Sequence, residues 1–196
     1  AGFRLCAGGS HRVLGVEPDM AVFAKAMTNG YPLSAIIGRK DVMEAAQGTF
    51  ISSTFYTERI AFAATLRSVQ LYQKYHVWEK QSEYGEMVQT GWKDAARKVG
   101  IEIEVGGILP LGHFTIFGDE SPLVYKTFFV QEMLKRGYIA SNAFYTSYAH
   151  DPKMIHTYLE NVEQVFCQIA EAQKEGEKVK NFLQGPVCHS GFGRLN

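Results

Sequence analysis

The chain has 196 residues, 46% hydrophobic and 13% aromatic, enough to bury a sizeable core in one large domain or two small ones. Its 20 basic and 20 acidic residues cancel, a balance that argues against a nucleic-acid or membrane-surface partner, which would leave a basic excess. No apolar run approaches the about 20 residues of a membrane helix, and no basic leader precedes an apolar segment. Cys6, Cys167 and Cys188 lie too far apart for a disulfide framework or a zinc site, so a reducing cytoplasm is the simplest setting.

Residues 20–23 and 33–38 are short apolar runs of buried-strand length, separated by the turn residues Thr28-Asn29-Gly30. Lys25 lies in the apolar run Met20-Ala21-Val22-Phe23-Ala24-Lys25-Ala26-Met27, a costly place to bury an ammonium group. Residues 41–46 are a short helical candidate. A helix is predicted over 58–73, with Ile60, Ala63, Ala64, Arg67 and Leu71 near helical spacing and Thr57 as N-cap. Its small alanines suit close packing on a sheet.

The composition shifts near Lys74-Tyr75-His76. A helix over 77–99 carries Val77, Tyr84, Val88, Trp92, Ala95 and Val99 on one stripe and stops at Gly100. Strict alternation over 101–105 predicts a half-exposed strand; Gly106-Gly107 then turns the chain into an antiparallel neighbour over 113–117. Ser121-Pro122 and Asp151-Pro152 open helices over 123–136 and 153–172, with a short strand at Gly137-Tyr138-Ile139-Ala140 between them. Residues 1–75 thus read as α/β and 76–175 as a compact α+β unit of ordinary domain size. Residues 176–196 read as an ordered surface extension with scattered apolar residues such as Phe182, Leu183 and Phe192. Cys188-His189 are adjacent, poor spacing for two ligands of one metal, and read as an ordinary loop pair; no metal site is expected.

Two readings of Lys25 compete. Its stem can pack while its ammonium snorkels to water, or the amine can be a nucleophile that forms a Schiff base with a carbonyl. The neighbourhood favours the second. Gly2-Phe3-Arg4, Pro18-Asp19, Lys25 and Gly30-Tyr31-Pro32 occur in that order. Together they resemble the core of the class III aminotransferases, which use pyridoxal phosphate. The resemblance implies a fold-type I architecture, with residues 1–75 the end of the large cofactor domain and residues 76–175 the small C-terminal domain. It also implies that Lys25 binds the cofactor aldehyde as a Schiff base and later moves a proton from the substrate α-carbon.

Phe50-Ile51-Ser52-Ser53-Thr54-Phe55 and the helix after it resemble the family's phosphate loop. By that resemblance Thr54, with Ser53 beside it, contacts the cofactor phosphate of a neighbouring subunit, so a homodimer with shared sites is implied. Tyr56-Thr57-Glu58-Arg59 departs from the commonest family pattern there. The stretch 128–166 resembles the small domain of the branch related to glutamate-1-semialdehyde aminomutase, with Ser147-Tyr148-Ala149-His150 as its turn. Loop packing is the better assignment for His150.

The chain opens at Ala1, and its first methionine is Met20. The acidic segment that the family places just before Gly-Phe-Arg is absent, as are the N-terminal phosphate turn and the aromatic that stacks on the ring. The expectation is therefore a C-terminal portion of a longer enzyme, with neither tight cofactor binding nor turnover by residues 1–196 alone. The leading reading is a transaminase acting on a small-molecule amino donor and an aldehyde or keto acceptor. An intramolecular aminomutase is its close variant, and a non-catalytic fold-alike that keeps only the dimer scaffold is the alternative of another class. A dinucleotide-binding unit reads poorly, because no Gly-x-Gly-x-x-Gly follows a strand.

Overall fold

The computed structural model describes residues 2–191, and the chain divides into two units, Ala1–Gln81 and Ser82–Asn196. In the first, α1 (Ser10–Leu14) precedes β1 (Met20–Phe23), a 3-10 turn (Lys25–Met27), β2 (Ala35–Gly38), α2 (Lys40–Met43) and α3 (Arg59–Lys74). β1 and β2 form a two-stranded antiparallel sheet, with Met20 opposite Gly38 and Phe23 opposite Ala35. The two predicted strands are therefore present, but they are not buried. Val22 is 66% exposed, and Met20, Ile36 and Ile37 are also open. Two strands cannot cover both of their own faces.

α3 begins one residue later than expected. Thr57 ends a 3-10 helix (Thr54–Thr57), and the Glu58 carboxylate caps α3 instead, accepting from the Ile60 amide at 2.6 Å. The predicted stripe is also rotated: Ile60, Ala63 and Arg67 are exposed, while Ala61 and Tyr72 are buried. Tyr72 sets this facing. Its ring packs 4.7 Å from that of Phe3, and its hydroxyl donates to the Phe3 carbonyl at 2.5 Å.

In the second unit β3 (Glu102–Ile108), β4 (Leu111–Phe117) and β5 (Ala143–Tyr145) form an antiparallel sheet in that order. α4 (Val77–Val99), within which the two units divide, has the predicted limits. α5 (Pro122–Lys135) and α6 (Pro152–Lys174) carry the predicted caps: Ser121 Oγ accepts from Leu123 N, and Asp151 Oδ1 accepts from Met154 N at 2.8 Å. The centre of the core is Phe114 on β4. Its ring meets Trp92, Phe129 and Phe166 edge-on at 4.9, 5.0 and 5.5 Å. Trp92 Nε1 donates to the Tyr158 hydroxyl at 3.1 Å, which satisfies a buried polar pair.

Two strand predictions need correction. Gly106-Gly107 does not turn the chain: β3 runs through both to Ile108, and Leu109-Pro110 makes the turn, with Ile108 opposite Leu111. A Cβ on Gly107 would lie 2.3 Å from the Leu111 carbonyl oxygen, so the glycine serves close approach. Residues 137–140 form no strand. Gly137 N donates to Leu134 O and Tyr138 N to Met133 O, closing the end of α5, and β5 starts later, at Ala143.

The described part of the extension runs through Gly191 and packs on the second unit; Phe192 lies outside the described residues. Val179 is 1% exposed and joins the core. Gln131 on α5 grips the extension's backbone twice, accepting from Gln184 N at 2.7 Å and donating to Phe182 O at 3.0 Å.

α4 approaches the β3–β4 turn so closely that a Cβ on Gly85 would lie 1.8 Å from the Leu109 carbonyl oxygen, whereas nothing lies within 4 Å of the corresponding position at Gly185. Gly85→Ala is expected to destabilise the protein by about 1–3 kcal/mol through this overpacking. Gly185→Ala is expected to be nearly neutral, and urea unfolding of the two variants checks the difference.

Candidate active site

Three elements of the resemblance, Gly2-Phe3-Arg4, Asp19 and Lys25, lie around one strand, β1. Phe3, from the Gly2-Phe3-Arg4 turn, meets the Phe23 ring edge-on at 6.4 Å, and the His11 ring lies 6.4 Å from Phe23 on the same strand end. Behind them Tyr72 stacks on Phe3, and Trp78 lies 5.5 Å from Tyr72. Burial pushes the Tyr72 hydroxyl up to about 12, so it stays a hydrogen-bond donor throughout the physiological range. At the other end of β1, Asp19 pairs with Arg39 at 2.9 Å, and the Arg39 amide donates to the Asp19 carbonyl at 2.9 Å. Both side chains are exposed, so the ion pair fixes geometry and adds at most about 1 kcal/mol.

Lys25 comes two residues after Phe23. Ala24 is extended, and Lys25 then takes φ 52°, the left-handed region that side-chain-bearing residues rarely adopt. Its carbonyl accepts from the amides of Thr28 and Asn29, both at 3.1 Å. Met27 and Thr28 point inward and are buried, while Lys25 is exposed. The expectation of an ammonium held in an apolar strand is therefore not met within this chain. The lysine stands just past the strand, on a turn that presents it outward, and no described residue forms an ion pair or hydrogen bond with its amine.

Ser53 and Thr54 are exposed, and neither is hydrogen-bonded to Lys25 among the described residues. Ser53 Oγ accepts from Phe55 N at 3.3 Å, while the Thr54 hydroxyl has no hydrogen bond among the described residues. In the second unit His150 occupies the structural role expected of it. Its Nδ1 accepts from the Ser147 amide at 3.1 Å, and its ring packs 5.1 Å from Phe144. Thr28, read from the sequence only as a turn residue, is 2% exposed. A hydroxyl-bearing residue three positions after the lysine was the available signal.

Residues 6–144 match the family Aminotransferase class-III. The chain is 31% identical over 191 residues to the glutamate-1-semialdehyde 2,1-aminomutase of Neisseria meningitidis serogroup B, covering 87% of this chain and 44% of that protein. It is 27% identical over 127 residues to the 3-aminobutyryl-CoA aminotransferase of Cloacimonas acidaminovorans, covering 64% of this chain and 31% of that one. The fold is similar to the PLP internal aldimine form of the Sphingopyxis sp. MTA144 FumI protein, with a TM-score of 0.80, 22% identity, and 93% and 44% of the two chains covered. It is also similar to a transaminase with PLP bound, with a TM-score of 0.77, 19% identity, and coverage of 89% and 44%. The architecture is thus part of a fold-type I pyridoxal-phosphate transferase, and the chain spans less than half the length of these proteins. Among the described residues no helix is long and apolar enough to cross a membrane.

Burial lowers the His150 pKa below the usual histidine range, against the opposing charge of Asp151. Its contribution to stability is whole above about pH 6.5, the unfolded value. It is lost as the pH falls through the depressed folded value, because the unfolded chain takes the proton first. The His150 Hε1 resonance is expected to titrate below the ordinary range. His150→Gln is expected to weaken the loss of unfolding midpoint between about pH 7 and 5.

Proposed function

Because the chain belongs to the class III aminotransferases, we propose that Lys25 is the residue that attaches pyridoxal phosphate. On this reading the whole enzyme moves an amino group between a small amino donor and an aldehyde or keto acceptor. The observation that carries the proposal is the amine itself: a primary amine with no partner among the described residues, on a left-handed turn, behind a strand braced by the Gly2-Phe3-Arg4 motif.

The residues fit the cofactor. Lys25 offers a nucleophilic amine, and Thr54 offers a hydroxyl with no other hydrogen bond among the described residues. Ser53 keeps its own O–H for donation while its oxygen accepts from Phe55 N. When bound, pyridoxal phosphate supplies an aldehyde for attachment and an electron-withdrawing ring. Lys25 Nζ would hold that aldehyde carbon, its carbonyl oxygen leaving as water, and as a free amine would take the proton from the donor's α-carbon. Thr54, with Ser53, holds the phosphate in the site of a second copy, so the active form is a homodimer. The bare faces of β1 and β2 are covered in the whole enzyme by strands beyond this chain, in keeping with the 44% of the Neisseria relative that it spans.

A second reading, an intramolecular aminomutase, is favoured by the 31% identity to that relative. Both readings use Lys25, and an external carbonyl acceptor separates them: a transaminase requires one for turnover, and a mutase does not.

In the whole enzyme, Lys25→Ala is expected to abolish covalent retention of the cofactor after borohydride reduction. Amino transfer is expected to fall by about 10⁴-fold or more, the upper range for loss of a general base. Peptide mass analysis that finds the reduced cofactor on another lysine overturns the assignment.

A further inference from the structure

We infer that Thr28 is a positioning residue for Lys25: its buried hydroxyl staples the turn that keeps the Lys25 backbone left-handed and so aims the amine. This inference rests on the reading of Lys25 as the attachment point. Thr28 is 2% exposed, so its hydroxyl must find a partner inside the protein. Its oxygen lies 2.5 Å from the Tyr31 carbonyl oxygen and 3.2 Å from the Lys25 carbonyl oxygen. The single hydroxyl proton is donated mainly to Tyr31, with Lys25 as the longer second acceptor. One atom therefore ties both ends of the segment from Lys25 to Tyr31. The amides of Thr28 and Asn29 close on the same Lys25 carbonyl, both at 3.1 Å.

The turn needs such a tie. Lys25, Asn29 and Gly30 all have positive φ, at 52°, 49° and 110°. Glycine takes that conformation without penalty and asparagine with little, but lysine does not. Without the staple, Lys25 relaxes toward the right-handed region, its Cα–Cβ bond swings away, and the amine leaves its line of approach. The methyl group of Thr28 does not perform this task. Valine at position 28 keeps the shape, removes the donor and leaves the Tyr31 carbonyl with one partner fewer. Serine keeps the donor.

The test uses the whole enzyme as Thr28→Val and Thr28→Ser, read first without cofactor and then loaded with pyridoxal phosphate. Without cofactor, Thr28→Val is expected to speed amide hydrogen exchange at Asn29 by about 2- to 10-fold, the range set by one lost hydrogen bond. The paired amides of β1 and β2 are expected to be unchanged. Loaded, the variant is expected to shift the pH midpoint of the visible absorption of the bound cofactor and to lower kcat with KM little changed. Thr28→Ser is expected to restore all three. A Thr28→Val enzyme with the wild-type pH midpoint overturns the inference, as does a serine variant no better than valine. If the valine variant does not fold, wild type decides: an Asn29 amide that exchanges as fast as an exposed one overturns the staple, and a protected one together with a wild-type-like serine variant supports it. Lys25→Ala separates the two possible failures. If it retains covalent cofactor, the reading of Lys25 falls and the aiming role falls with it. If it loses the cofactor while Thr28→Val titrates like wild type, only the staple falls.

Discussion

The Tyr72 hydroxyl donates to the Phe3 carbonyl at 2.5 Å, and in a unit with so little interior that bond decides where the rest can lie. It fixes the Gly2-Phe3-Arg4 turn against α3, which puts the Phe3 ring behind Phe23, and Phe23 is the last residue of the strand that leads to Lys25. Burial raises the pKa of the hydroxyl, so the donor persists. The same bond explains the rotation of α3. An amphipathic helix with several apolar residues around its circumference turns inward whichever face has the strongest partner. Here that partner is a backbone carbonyl met by Tyr72, and Ile60 is left facing out.

The two units are stabilised differently. The second has a closed aromatic interior, in which Phe114, Trp92, Phe129 and Phe166 are each nearly inaccessible and the buried Trp92–Tyr158 polar pair is satisfied. Its extension adds Val179 to that interior and is gripped by Gln131. The first unit buries Met27, Ala61 and Tyr72 and leaves most of its large apolar side chains open, Phe50 at 96%. Exposed apolar surface, where it is contiguous, is a mark of interaction sites. It accords with the proposal that strands of a longer enzyme and a second copy complete the unit.

Local features were legible in the sequence, and features that depend on distant partners were not. The caps at Ser121 and Asp151, the full extent of α4 and the stop at Gly100 follow from neighbouring residues and match the structure. So does the place of His150 in its loop, where a histidine in a short polar turn finds a backbone amide. The alternation over 101–105 gave the faces of β3 correctly, but Gly106-Gly107 carries two possible meanings, a turn or room for a neighbour. Only the register with β4 chooses the second. Residues 137–140 looked like a strand by composition, yet the hydrogen bonds that close α5 occupy that backbone first. At the candidate site the order of the motifs was readable, but the packing of Phe3 against the end of β1 was not, because it is a ring contact between residues far apart in the chain. The hydroxyl of Thr28 was not singled out, because its significance lies in two carbonyls that the turn brings to it.

The exposure of Lys25 changes what the apolar run around it means. A lysine buried in a strand would need its charge neutralised in place, at a cost of several kcal/mol. The structure instead ends the strand at Phe23 and uses the next residues to step the chain outward, with Met27 and Thr28 as inward anchors just after the step. The strain is then conformational: about 1–2 kcal/mol for a left-handed residue with a side chain. Glycine at position 25 would remove that cost and the amine with it. A turn with glycine-like geometry that carries lysine accords with the proposed demand for an amine at that point, and the surrounding hydrogen bonds offset the strain. The apolar residues before Lys25 therefore brace the strand that delivers it, and do not enclose the amine.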